Sequence, residues 1–190
     1  MRLWFRFHCC AVVMVALAGC ASIAPSSTWT TMAPVREAAF TADGRLSARH
    51  AKEAVSVGFA WKHAPPRDDI TLSSPLGQIV AELSGDASVH QAQVLLADGR
   101  KMEAEGFSAL TERSLGFPLP VSGLAAWIRG GPHDGSPHEA VIGAAGRTDV
   151  LRQDGWEIFY DYADALAQRP ERLRLIYPEV EVRVVIDRLE

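Results

Sequence analysis

Beyond residue 20 the sequence has no cysteine, since Cys9, Cys10 and Cys20 all lie in the first twenty of its 190 residues. A fold built from the remainder is held by packing rather than disulfides, and it offers no thiol nucleophile and no thiolate metal site. Also missing are G-x-S-x-G, H-E-x-x-H and Walker-type loops, the arrangements that prepare a nucleophile, a zinc-bound water or a nucleotide phosphate. His50, His63 and His90 stand alone. The stretch "HDGSPH" from His133 to His138 carries Gly and Pro at spacings that fit an exposed turn rather than a ligand pair. Asp68, Asp69, Asp161 and Asp164 read as solvated edges. The sequence therefore calls for no catalytic residue, no metal and no cofactor. Basic runs are absent too, with 19 Lys and Arg against 23 Asp and Glu and a formal charge of −4. That balance argues against nucleic acid as a partner.

What is present begins with an address. Arg2 and Arg6 precede a short apolar run, Cys9 to Gly19, which falls short of a membrane-spanning helix and ends in Leu17-Ala18-Gly19-Cys20. This order looks like a bacterial lipobox, with residues 1–19 as a cleaved signal peptide and Cys20 receiving a diacylglyceryl thioether and an N-acyl chain. Cleavage removes 19 of 190 residues and leaves 171, enough for one domain with its own core, at a formal charge of −6. Residue 21 is Ala rather than Asp, and in bacterial lipoproteins generally Asp there is the inner-membrane retention signal. The destination expected is the outer membrane. Residues 20–34, rich in Ala, Ser, Thr and Pro, read as a lipidated tether, and residues 35–190 as the folded domain.

From Phe40 onward the dominant period is two. Val55, Val57, Phe59 and Trp61 share one face of a stretch, as do Trp156, Ile158, Tyr160 and Tyr162 of another. "RLRLIY" and "EVEVRVVID" alternate apolar with charged residues. Strands with one dry and one wet face favour an antiparallel sheet. Asp98-Gly99 and Asp154-Gly155 mark hairpins, while Asp43-Gly44 is either a turn or a bend inside the first long strand. Two short helices interrupt the strands. One has Ser108 as its cap and Phe107, Leu110 and Leu115 as inward candidates. The other has Ser122 as its cap, Leu124, Trp127 and Ile128 at helical spacing, and Gly130 as its stop. Lying mid-sequence, they are expected to cover an open face of the sheet.

"SPLG", Ser74 to Gly77, is a type I turn with Ser, Pro and Gly at their preferred places, which leaves Leu76 at the tip where chain meets solvent. Trp61, Trp127 and Trp156 are consistent with a packed core or with the lining of an apolar chamber, and periodicity alone does not separate the two.

The order "GRLS" (44–47), "FAW" (59–61), "SPLG" (74–77), "GFPLPVSGLAAWIRGGP" (116–132), "QDGWEIFY" (153–160) and "VVIDR" (184–188) resembles the LolB family of outer-membrane lipoproteins. The likeness runs from about Phe40 to the end, and the pattern from Leu119 to Pro132 is its most specific part. One departure is visible: Thr28 to Ala39 is shorter than the family's usual lead-in and holds Pro34.

The resemblance implies a mainly β fold with a small α lid: a single curved antiparallel sheet forming an incomplete, half-open barrel, with short helices over an apolar cavity. It implies a monomeric receptor that accepts acylated lipoproteins from a periplasmic LolA-like carrier. The partners are then that carrier, the acyl chains of its cargo and the inner leaflet of the outer membrane. Leu76, flanked by Pro75 and Gly77, matches the exposed loop leucine assigned to membrane delivery. Candidates for the acyl-cavity lining are Val55, Val57, Phe59, Trp61, Ile70, Leu72, Leu124, Trp127, Ile128, Trp156 and Ile158. Two rival readings are a half-barrel lipoprotein that binds a free lipid or glycolipid, and an envelope scaffold that binds no ligand.

Overall fold

Period-two patterning becomes twelve strands in the computed structural model, which describes residues 28–190. The first six are β1 (Trp29–Thr30), β2 (Phe40–His50), β3 (Glu53–Ala64), β4 (Arg67–Ser73), β5 (Ile79–Asp86) and β6 (Gln91–Leu96). After β7 (Lys101–Ala104) come two helices, α1 (Phe107–Leu115) and α2 (Val121–Trp127). The chain then returns through β8 (His138–Ile142), β9 (Thr148–Gln153), β10 (Trp156–Asp161), β11 (Arg172–Tyr177) and β12 (Val180–Leu189). All twelve join one sheet in the order β1-β8-β9-β10-β11-β12-β2-β3-β4-β5-β6-β7, and every neighbouring pair is antiparallel. The sheet does not close: β1 and β7 remain as edges of an incomplete barrel.

The turns follow their residue chemistry. Asp154 (φ 53°) and Gly155 (φ 79°) link β9 to β10, the doubly left-handed pair that a two-residue hairpin requires. Asp43-Gly44 is not a turn. It lies inside β2, where the register with β12 shifts between Ile186 and Arg188. A Cβ at Gly44 would run into the Val185 carbonyl and come within 3.1 Å of the Phe59 ring. Gly44→Ala is therefore expected to lower stability by about 1–3 kcal/mol through overpacking. A urea midpoint that stays in place would show that the bulge absorbs the methyl group.

Both helices begin two residues earlier than serine caps at 108 and 122 would give. The residue before α1 is Gly106 (φ 91°) and the residue before α2 is Pro120, and neither helix has a side-chain cap. Ser108 and Ser122 thus lie inside the first turns, because the glycine and proline redirect the chain without needing a capping oxygen. Gly116 ends α1 in the left-handed conformation, and Gly130 (φ 93°) follows the end of α2 as expected. Leu115, in the last turn of α1, is 44 % exposed rather than inward.

The main core lies between α2 and strands β2, β3 and β8 to β12. Trp127, Leu151, Trp156, Ile158, Leu175 and Val182 are at most 1 % exposed there. A second, smaller cluster joins Ala81, Ala92 and Val94 of β5 and β6 to Leu110 of α1.

The signal peptide, Cys20 and residues up to 27 lie outside the described residues. From Thr28 the structure departs from a simple tether. Trp29 pairs with Val141 as an edge strand, and the Arg152 guanidinium sits 4.0 Å above its ring. The Val35 N–H donates to the Pro132 carbonyl at 2.8 Å. The folded unit thus reaches back to the first described residues, because Trp29 and Met32 supply apolar surface that the Ser/Thr/Pro background hides.

Candidate functional site

The β4–β5 connection is built outward from its backbone. The Gly77 N–H donates to the Ser74 carbonyl at 2.8 Å, and the Ser74 N–H donates to the Gln78 carbonyl at 2.8 Å. The Ser74 hydroxyl oxygen accepts from the Gln78 N–H at 3.3 Å. Gly77 takes φ 81°, which a side chain would resist, and Pro75 has its φ fixed by its ring. With both neighbours so constrained, Leu76 stands 88 % exposed at the tip, and Ile79 behind it is 52 % exposed.

The inner face of the sheet begins at the same end of the strands. The last β3–β4 pair is Gly58 with Ser73. Val55 lies beyond that pair in β3, toward the end of the strands from which the Leu76 turn leaves. Val55 is 46 % exposed, and Val57, Leu46 and Leu72 beyond it are half-buried. Leu72 and Phe107 touch both apolar clusters and mark the seam between them.

The structure divides the lining candidates by depth. Phe59, Trp61, Leu124, Trp127, Ile128, Trp156 and Ile158 are buried members of the main core. Val57, Ile70 and Leu72 are half-buried, and Val55 is exposed. Leu83, Leu96 and Met102, which the sequence reading did not single out, are half-buried against the second cluster. The signal for Leu96 and Met102 was the weak alternation of "QVLL" and "KMEA", too short to be read by period alone. Two grooves of about 820 Å³ each open elsewhere. One is lined by His138, Trp156, Ile176 and Tyr177, the other by Arg67, Asp86, Glu103 and Arg113.

Most polar groups inside the core are fastened, while the buried Tyr160 hydroxyl has no hydrogen-bond partner among the described residues. Asp68 is not a solvated edge: it is 7 % exposed, and its Oδ1 accepts from the Trp61 indole N–H at 2.7 Å and lies 2.7 Å from His63 Nδ1. The reason is parity, since even-numbered residues of β4 face inward, and Asp69 beside it faces out. Gln153, 3 % exposed, accepts from the Trp127 indole N–H (2.9 Å) and the His133 N–H (3.1 Å). Its amide donates to the carbonyls of His133 (2.8 Å) and Ser136 (3.1 Å), tying α2 and the loop after it to β9. Within "HDGSPH", His133 and Ser136 bond to Asp154. Burial pushes the Tyr160 phenol well above its ordinary pKa, so it stays neutral in the core.

Among the described residues this geometry offers a partly covered apolar face with a leucine standing at its rim.

The comparisons with known proteins point the same way. A family model described as outer membrane lipoprotein LolB matches residues 38–188. A protein of Chromobacterium violaceum named outer-membrane lipoprotein LolB is 37% identical over 171 residues, covering 90% of this chain and 91% of its own. One of the same name from Azoarcus sp. is 34% identical over 176 residues, covering 92% of this chain and 89% of its own. Among solved structures, a DUF1329 family protein from Desulfovibrio piger superposes with a TM-score of 0.50 at 10% identity, over 80% of this chain and 85% of its own, which is a likeness of fold. With the family model spanning nearly all of the described sheet and such relatives matching over about nine-tenths of both chains, the chain belongs to the LolB family of outer-membrane lipoproteins.

Proposed function

We propose that this chain is a receptor that takes acylated lipoproteins from a LolA-like periplasmic carrier and releases them into the inner leaflet of the outer membrane. The observation that carries this reading is the pairing of an 88 % exposed leucine with a half-covered apolar face at one end of the strands. The half-buried Val57, Ile70 and Leu72, with Val55 at the rim, are the surface on which acyl chains lie. The fully buried Trp127, Trp156 and Ile158 form the floor that keeps that surface in shape.

Energetics favour a receptor that passes its cargo on. Three acyl chains of about 15 methylenes represent about 36 kcal/mol of transfer free energy. Non-covalent affinity saturates near ~20 kcal/mol. The protein therefore holds its cargo only in part, and the bilayer is the better solvent, so the last step runs downhill without a nucleotide.

The test is reconstitution: a carrier loaded with a lipidated protein, this chain in liposomes, and sedimentation of the cargo with the membrane. Cargo that reaches the liposomes at the same rate without this chain contradicts the reading. Lipidation at Cys20 is the expected anchor. Cys20→Ala behind a cleavable signal is expected to give a soluble protein with an unchanged β circular dichroism spectrum, because all twelve described strands lie between Trp29 and Leu189. Aggregation, or loss of that spectrum, would make the lipid part of the folding unit.

A further inference from the structure

Leu76 has a counterpart. Leu166, in the loop between β10 and β11, is 85 % exposed, whereas the next most exposed large apolar side chain, Val89, is 57 % exposed. This loop is clamped rather than slack. The Asp164 carboxylate accepts from the N–H groups of Leu166 (2.7 Å) and Ala167 (2.9 Å). The Arg147 guanidinium donates to the carbonyls of Asp164 (2.8 Å) and Ala167 (2.7 Å) and stacks 4.1 Å over the Tyr162 ring. The Tyr162 hydroxyl in turn donates to the Thr148 carbonyl at 2.9 Å. A loop so held cannot fold its leucine back onto the protein, so the apolar tip stays in water unless something covers it.

Its place in the ladder says what that something is. Asp161 pairs with Arg172 at the mouth of the loop, so Leu166 stands at the strand ends opposite to Leu76. β1 runs antiparallel to β8, with Trp29 on Val141 and Thr30 on Ala140, so the first described residue, Thr28, lies toward Ile142 at the Leu166 end. Ile142 is itself 38 % exposed. Cys20 lies eight residues before Thr28, a distance that spans at most about 28 Å when fully extended. Charges at this end are mixed: Arg129, Arg169 and Arg172 lie among Glu37, Asp161, Asp164 and Glu171.

We propose that the Leu166 loop is a second lipid-contacting element, which seats the anchor end of the molecule on the phospholipid surface and leaves the Leu76 end facing away. The inference rests on the reading of Cys20 as the anchor. It gives the receptor a resting pose with its apolar face open to the aqueous side, where a carrier arrives. Delivery through Leu76 then requires that the Leu166 contact be released and the body rolled over.

The test uses the lipidated chain in vesicles of phosphatidylethanolamine and phosphatidylglycerol, without cargo. No cysteine follows Cys20, so Leu166→Cys and Leu76→Cys each give one labelling site for an environment-sensitive dye. Flotation with the vesicles is scored first, and lipid-borne quenchers are added next. Expected is a blue shift and loss of emission at position 166, with position 76 remaining aqueous. Protein that floats with its 166 dye in water, or with its 76 dye quenched in this resting state, overturns the docking and leaves the receptor reading intact. Protein that does not float overturns the anchor reading and the docking with it.

Discussion

Leu76→Glu will load and fail to deliver. The side chain is 88 % exposed, and the turn beneath it is held by backbone hydrogen bonds and by Gly77, none of which involves the leucine. Folding and acceptance of cargo are therefore expected to stay near the parent's. Transfer to liposomes is expected to fall by roughly 10–150-fold, the equivalent of the 1.5–3 kcal/mol that burying one leucine in an apolar medium contributes. The measurement is a two-step reconstitution, in which the receptor is first charged from a loaded carrier and liposomes are added afterwards. A variant that fails at charging would move the role of Leu76 to the carrier encounter. One that inserts cargo as fast as the parent would leave it an exposed leucine without function.

The second large effect separates floor from surface. Trp127 is 0 % exposed and donates its indole N–H to Gln153. Trp127→Ala is expected to cost about 3–5 kcal/mol, since it opens a cavity and removes one of the bonds that fasten α2. Set against a typical domain stability of ~5–15 kcal/mol, that loss brings the protein close to unfolding near ambient temperature. Val55→Glu, at a site 46 % exposed, is expected to change stability by no more than about 0.5 kcal/mol. If Val55 lies where acyl chains enter, the new carboxylate will weaken binding of a fluorescent fatty-acyl probe about tenfold, or ~1.4 kcal/mol. Urea midpoints and probe titrations on both variants give the comparison. Unchanged probe affinity in Val55→Glu would remove Val55 from the acyl path.

These two residues also show how far the sequence could be read. Alternation placed Val55 and Trp61 on one face of β3, and the structure keeps them there, but at 46 % and 4 % exposure. Period two reports which side a residue takes, not how deep the sheet buries it, because depth depends on which distant strand or helix lies opposite. The same limit hid Asp68. Its charge suggested solvent, while its parity in β4 placed it against Trp61 and His63. The "SPLG" turn was legible because every determinant is local, down to the glycine that takes φ 81°. The docking of Trp29 on β8 was not, since an edge strand of two residues leaves no period to detect. Lipidation at Cys20 rests on local signals of its own and lies outside the described residues.

The open ladder has a mechanical consequence. A closed barrel has its circumference set by strand number and stagger, so enlarging its interior means breaking hydrogen bonds between strands. Here the row ends in β1, two residues long, and β7, four residues long, and no strand among the described residues joins them. The radius can grow by a small bend at each of eleven seams while every ladder bond stays made. Compliance of this kind lets one wall take cargo of differing bulk and spring back when the bilayer claims it, and edges this short give a second copy little to pair with.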